Sequence, residues 1–176
     1  LGYAMACIGK WHLGDQPDFM PTNQGFDSYY GVPFSNDMGT AAEGSKSNFG
    51  QPLPKPKKVP LVVKIGTEET GLRGDAQPPL PLVENLRVVE RVGAAEQATL
   101  TRRYTERAVQ FIESHKAAPF FLYLPHNAVH GPLYPAEAYR GRSQGGLRGD
   151  WIEEVDASVG QVLDAVHEAG IAERTL

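Results

Sequence analysis

The run Pro-Phe-Phe-Leu-Tyr-Leu-Pro at residues 119–125 is apolar at every position between its two prolines. A strand with one wet face alternates apolar and polar residues, whereas a parallel strand covered on both faces reads as a continuous apolar run. Residues 119–125 are therefore expected to form a central parallel strand. A helical pattern stands just before it. Tyr104, Ala108, Phe111 and Ile112 recur at i, i+4, i+7 and i+8 within residues 101–115, which buries one helical face. Residues 3–8 read as an earlier buried strand that ends at Gly9. A second helix is expected from near Asp150, where Asp150 and Glu153 resemble a capping box with Asp in the Ser/Thr place. Its expected apolar stripe is Ile152, Val155, Val159, Val162, Leu163 and Val166, and Gly170 is a natural stop. Strand, helix, strand, helix in this order predicts an α/β sheet with right-handed crossovers.

The remaining stretches carry weaker patterns. Residues 15–39 are rich in Pro, Gly, Asn and Asp and read as a long ordered loop, with Phe26, Tyr29, Tyr30 and Phe34 supplying its packing. Loops beyond about 12–15 residues without secondary structure are commonly functional or disordered, and the aromatics favour function here. Residues 40–81 shift to Gly, Pro, Ser and Lys and read as an insertion or linker. Lys55, Lys57 and Lys58 are interleaved with prolines there, which favours a solvated, extended segment over an anion patch. Residues 59–65 and 82–92 are candidate strands of an antiparallel excursion from the main sheet.

Composition narrows the partners. Seventeen Lys and Arg face 21 Asp and Glu, a formal charge of −4. With no basic surplus to displace counterions from phosphates, a nucleic-acid partner is not expected. No apolar run approaches the roughly 20 residues needed to span a bilayer. The single cysteine, Cys7, excludes an internal disulfide. Ala6 and Ile8 beside it predict a buried, inert thiol, because apolar surroundings raise a thiol pKa.

Two segments carry chemistry. Gly9-Lys10-Trp11-His12-Leu13-Gly14 sets a cation and an imidazole two positions apart between glycines. On an extended stretch Lys10 and His12 share one side, and Trp11 packs on the other. A fixed positive charge beside a proton carrier suits an anionic ester. The second segment, LPHNAVHGPLYP at residues 124–135, places His126 and His130 directly after the apolar run. Sites in open α/β sheets form at the carboxyl ends of strands, and Gly131-Pro132 keep His130 on a turn there. The i, i+4 spacing of the histidines does not make a zinc helix, because Asn127 stands where a Glu is needed and Pro125 and Pro132 bracket the pair. His115 and His167, among charged neighbours, read as surface residues.

These segments resemble the type I, formylglycine-dependent sulfatase family. The Gly-Lys-Trp-His-Leu-Gly run is similar to the family's second signature. Residues 21–39, with Pro33-Phe34-Ser35-Asn36-Asp37, resemble the loop of arylsulfatase A and N-acetylgalactosamine-6-sulfatase type enzymes. Residues 119–132 resemble the strand that ends in the substrate histidine, and residues 150–176 the helix before a metal-binding strand. The resemblance implies an alkaline-phosphatase-like sheet flanked by helices, here the incomplete central portion of a catalytic domain. It implies hydrolysis of a sulfate monoester of a sulfated small molecule or carbohydrate, in a secreted, periplasmic or lysosomal setting. Carried over by position, Lys10 would bind the sulfate and the nucleophile. His12 would hydrogen-bond the nucleophile and help break down the sulfated intermediate. His130 would act as general acid for the leaving alcohol. Ser35 would support the nucleophile's geometry, with Asp37 a weaker candidate.

The departures from the family pattern are specific. The formylglycine signature, Cys/Ser-x-Pro/Ala-x-Arg, does not occur, and Cys7 is followed by Ile8-Gly9-Lys10. The Asp-Asp and Asp-Asn pairs that hold calcium in the family would lie outside this chain, as would a further substrate-binding lysine. With no start methionine, the chain is expected to be an internal piece of a larger enzyme, inactive by itself. Two other readings stay open: a phosphate or phosphonate hydrolase of the same superfamily, and a non-catalytic sulfatase-like binding domain.

Overall fold

The computed structural model describes residues 2–38, 61–62, 70–71 and 80–176. The first strand, β1 (Ala4–Ile8), is followed by β2 (Ser28–Gly31), the short β3 (Leu61–Val62) and β4 (Thr70–Gly71), then β5 (Leu80–Glu84) and β6 (Arg87–Val92). Two helices come next, α1 (Ala94–Gln97) and α2 (Leu100–His115), then β7 (Phe120–Tyr123) and the long α3 (Gly146–Glu168). The main sheet has five strands in the order β6-β5-β2-β1-β7. Strands β2, β1 and β7 run parallel, with Cys7 opposite both Tyr29 and Tyr123. The β5–β6 hairpin joins β2 antiparallel, so residues 82–92, expected as one strand, are parts of two that turn at Asn85-Leu86. Strands β3 and β4 pair with each other, and the rest of residues 40–79, Lys55, Lys57 and Lys58 included, lies outside the described residues. Leu80 and Pro81, at the end of the expected insertion, belong to β5.

Residues 15–39 hold a strand where the composition predicts only loop. Ser-Tyr-Tyr-Gly shows no alternation and lies among turn formers, so no local pattern marks it. It is extended because β1 and β5 pair with it on either side. Tyr29 and Tyr30 are consequently buried in the core with Cys7, Leu82, Val83 and Tyr104. On α2 the buried residues include Tyr104, Ala108 and Ile112, as the helical period requires.

Three further expectations are corrected. Strand β7 is an edge of the described sheet, paired only with β1. Phe120 and Leu122 pack toward the core, while Phe121 and Tyr123 are 47% and 41% exposed on the other face. There their rings meet that of Phe26, at separations of 6.1 and 6.4 Å.

Helix α3 starts at Gly146, four residues before the expected cap. Asp150 lies inside the helix, buried, and caps the preceding loop instead: its carboxylate accepts the amides of Ser143 (2.8 Å) and Gly141 (2.9 Å). Those amides hold the Asp150 carboxyl below the usual range.

The apolar stripe of α3 is also displaced. Ile152, Val159 and Leu163 are exposed, and the buried residues are Asp150, Trp151, Glu154, Ser158, Ala165 and Val166. Helices α2 and α3 meet through an apolar cluster of Ile112, Ala165 and Val166 and, nearer the start of α3, through a polar seam that the hydrophobic period does not mark. Trp151 Nε1 donates to Thr101 Oγ1 at 3.2 Å, and the Thr105 and Ser158 hydroxyls lie 2.6 Å apart.

Candidate active site

The carboxyl ends of β1, β2 and β7 converge on one edge of the sheet, and their backbones are laced together beyond the strands. Past β1, the amides of Gly9 and Trp11 donate to the carbonyls of Tyr30 (2.9 Å) and Val32 (3.1 Å) on the β2 side. The Lys10 amide donates to Pro125 (2.7 Å) on the β7 side, and the His12 amide to Pro33 (2.9 Å). The approach is too close for side chains. A Cβ on Gly9 would lie 2.0 Å from the Pro125 oxygen, and one on Gly31 would lie 1.8 Å from the Gly9 oxygen. Gly9 also sits at φ +132°, open to glycine and strained for any other residue.

This lacing puts Lys10, half-buried, and His12, exposed, on the loop that leaves β1. Trp11 between them is buried, donates its indole N–H to Phe19 O (2.8 Å) and meets Phe26 edge-on, in the packing role expected of it. His12 has φ +54°, so the extended run ends at that residue. Left-handed backbone is uncommon outside glycine, although His adopts it more readily than most, and such conformations gather at functional sites.

Ser35 and His130 meet across the same edge, with the Ser35 hydroxyl 3.2 Å from His130 Nδ1. The same ring nitrogen lies 2.7 Å from the Gly131 carbonyl. A carbonyl only accepts, so Nδ1 carries the proton and Nε2 is left as the reactive nitrogen of an exposed ring. Ser35 therefore sits at the ring of His130, while the family pattern associates it with the nucleophile. Asp37 is half-buried on the 3₁₀ turn Asn36–Met38 that follows Ser35.

The segment carrying His130 is anchored at both ends. Tyr104 donates its hydroxyl to Asn127 Oδ1 at 2.9 Å, and His126 Nε2 lies 3.2 Å from the Ser158 hydroxyl. At the far end the Ala136 amide donates to Glu154 Oε2 at 2.8 Å. Burial pulls the His126 imidazole down to about 4, which keeps it neutral, and pushes the Glu154 carboxyl up. His126 thus has a structural place, joined to α3 and separate from the ring of His130. His115 stacks on Phe111, its Nδ1 2.8 Å from the Phe111 carbonyl, and His167 is exposed at the end of α3.

Asn36 is the residue that sequence reasoning passed over. It is completely buried, and its side-chain amide donates to the carbonyls of His130 (3.1 Å) and Pro132 (2.8 Å). Its position between Ser35 and Asp37 was the only signal, and an Asn in a turn is ordinarily read as turn chemistry.

Among the described residues, no group of three or more His, Cys, Asp or Glu side chains could hold a metal ion. Cys7 is fully buried in β1, and burial pushes its thiol up to about 12. Such a thiol is inert at neutral pH, as its apolar neighbours predict. No described helix is long and apolar enough to cross a membrane.

Comparison with known proteins gives the family and the fold. A family model described as Sulfatase matches residues 1–176. The chain is 32% identical to N-acetylgalactosamine-6-sulfatase of Mus musculus over 176 residues, covering 99% of this chain and 29% of that protein. It is 38% identical to arylsulfatase G of Mus musculus over 168 residues, covering 94% of this chain and 30% of that protein. The PsFucS1 sulfatase of a Pseudoalteromonas species shares the fold, with a TM-score of 0.70 at 22% identity, over 96% of this chain and 33% of that one. The chain thus spans a little under a third of the length of the curated relatives it matches.

Proposed function

The chain belongs to the sulfatase family, and on that premise we propose that the intact protein hydrolyses a sulfate monoester to an alcohol and inorganic sulfate. The observation that carries the reading is the contact of Ser35 with His130, at the sheet edge that also bears Lys10 and His12. Sulfate ester cleavage needs negative charge neutralised on the non-bridging oxygens and a proton for the departing alkoxide. Lys10 supplies a fixed cation for those oxygens. His130 holds its Nδ1 proton against Gly131 O, so the proton it gives the leaving alcohol comes from Nε2 of the imidazolium. Ser35 keeps the ring plane from swinging. His12 takes up and returns a proton when sulfate is released to water, and Asp37 supports the turn that carries Ser35.

The family's calcium and formylglycine nucleophile are proposed to come from residues other than those of this chain. No described donor set fits the metal, and Cys7 is sealed inside a strand. The substrate class is a sulfated small molecule or carbohydrate. Purified full-length protein should release inorganic sulfate from an aryl sulfate. Turnover of phosphate monoesters alone, or retention of sulfated sugar without hydrolysis, would overturn the sulfatase reading.

A further inference from the structure

We infer that Asn36 is a positioning residue for His130, acting through the backbone on either side of the carbonyl that sets the ring's tautomer. The inference rests on the reading of His130 as proton donor for its kinetic consequence, though not for its structural one. Asn36 and His130 are 94 residues apart, and the Asn36 side chain is 0% exposed. A side-chain amide has two N–H groups, and Asn36 spends both on one short stretch, at His130 O and Pro132 O.

Between those two carbonyls lies that of Gly131, the acceptor 2.7 Å from His130 Nδ1. Holding the flanking peptide groups fixes the plane of the middle one. The Gly131 oxygen is thereby kept where it takes the Nδ1 proton and leaves Nε2 for the substrate. Neighbouring contacts complete the grip. The Met38 amide donates to Ser35 O (3.1 Å), which tightens the turn under Asn36, and the His130 amide donates to Asn127 O (3.1 Å). Ser35 and Asn36, consecutive in sequence, thus hold the ring and the backbone of one histidine. Gly131 has no side chain to restrain its own dihedrals and Pro132 fixes only its own φ, so the two Asn36 bonds add a restraint from outside the segment.

The test uses the full-length protein with Asn36→Ala and Asn36→Ser, the second retaining one donor should the first fail to fold. For an unactivated sulfate ester, Asn36→Ala is expected to lower kcat on the order of 10²-fold, the scale of a misplaced catalytic group, with KM nearly unchanged. In a His130→Ala background the same substitution should cost little more, since coupled residues are non-additive. Full additivity of the two losses overturns the proposal, because a merely structural asparagine would lower both backgrounds alike.

A second readout is independent of activity. In protein labelled with ¹⁵N-histidine, wild-type His130 should show the Nδ1–H tautomer, and Asn36→Ala should mix the tautomers while His115 and His167 keep their signals. If the wild type hydrolyses no sulfate, the proposed function fails and this readout alone decides the inference. An unchanged His130 tautomer then overturns it.

Discussion

Ser35 Oγ lies 3.2 Å from His130 Nδ1, although 95 residues separate the two in the chain. The contact joins the loop after β2 to the loop after β7, at the sheet edge where the loop after β1 carries Lys10 and His12. Parallel strands place successive carboxyl ends on one edge, so residues remote in sequence become neighbours there. The predictions below follow from that edge and from the groups buried behind it.

Substitution of His130 by Ala should depend on the leaving group. A positioned general acid contributes typically about 10²–10⁴-fold. Turnover of sulfate esters with poorly leaving alcohols should fall by that amount, and turnover of activated aryl sulfates far less. Steady-state kinetics on both classes settle it; equal losses would remove the proton-donor role.

Lys10→Ala should abolish hydrolysis of every sulfate ester, activated or not, because charge on the non-bridging oxygens is common to all of them. Ser35→Ala should be milder. It removes one hydrogen bond to a ring that keeps Gly131 O as a partner, a loss of about 0.5–1.5 kcal/mol, or roughly tenfold at most in kcat. A Ser35→Ala variant as inactive as Lys10→Ala would contradict the assignment.

Gly9→Ala should destabilise the protein by at least about 1–3 kcal/mol, the usual cost of forcing atoms into packed space. The new Cβ would fall 2.0 Å from a backbone oxygen, which cannot step aside as a flexible side chain could, and φ +132° adds strain. Thermal unfolding of the variant measures the loss. An unchanged midpoint would mean that the strand ends are not laced as described.

Acid should weaken the fold through His126. Its imidazole is held down at about 4 by burial, against an ordinary value near 6.5. Between those values the unfolded chain binds a proton that the folded one refuses, so stability declines as pH falls from about 6.5 to about 4 and this contribution then levels off. His126→Gln should flatten that part of the stability profile in denaturant titrations. An identical slope in the variant would assign the acid sensitivity elsewhere.

Cys7 should resist alkylation in the native protein at pH 8 and react once the chain is unfolded, since its thiol stays protonated up to about 12. By the same reasoning, residues 1–176 alone should release no sulfate from an aryl sulfate, even with calcium added. Sulfate release by that piece would show that it contains a nucleophile.

Several features were legible without coordinates. The 3.6-residue period of α2 and the apolar strands β1 and β7 depend on local sequence, and each was found where the pattern put it. Strand β2 was not legible. Four residues among turn formers carry too little periodicity, and only the hydrogen bonds of two neighbouring strands make them extended. The buried face of α3 was missed for a related reason. Ser158 is buried against the Thr105 hydroxyl and Glu154 accepts the Ala136 amide through one carboxylate oxygen, and a hydrophobicity pattern cannot register partners from other elements.

The sequence by itself determined the α/β class through its hydrophobic periods, and the resemblance of its motifs to the sulfatase family pointed to Lys10, His12, Ser35 and His130 as candidates. Periods follow from local steric and solvation preferences, and motifs are matched residue by residue. Only the tertiary structure decided that Ser35 faces the His130 ring, that Gly131 O sets its tautomer, and that Asn36 grips the peptides on either side. A hydrogen bond depends on distance and direction between atoms, and the lacing of three parallel strand ends is what brings residues 94 to 96 positions apart within that reach.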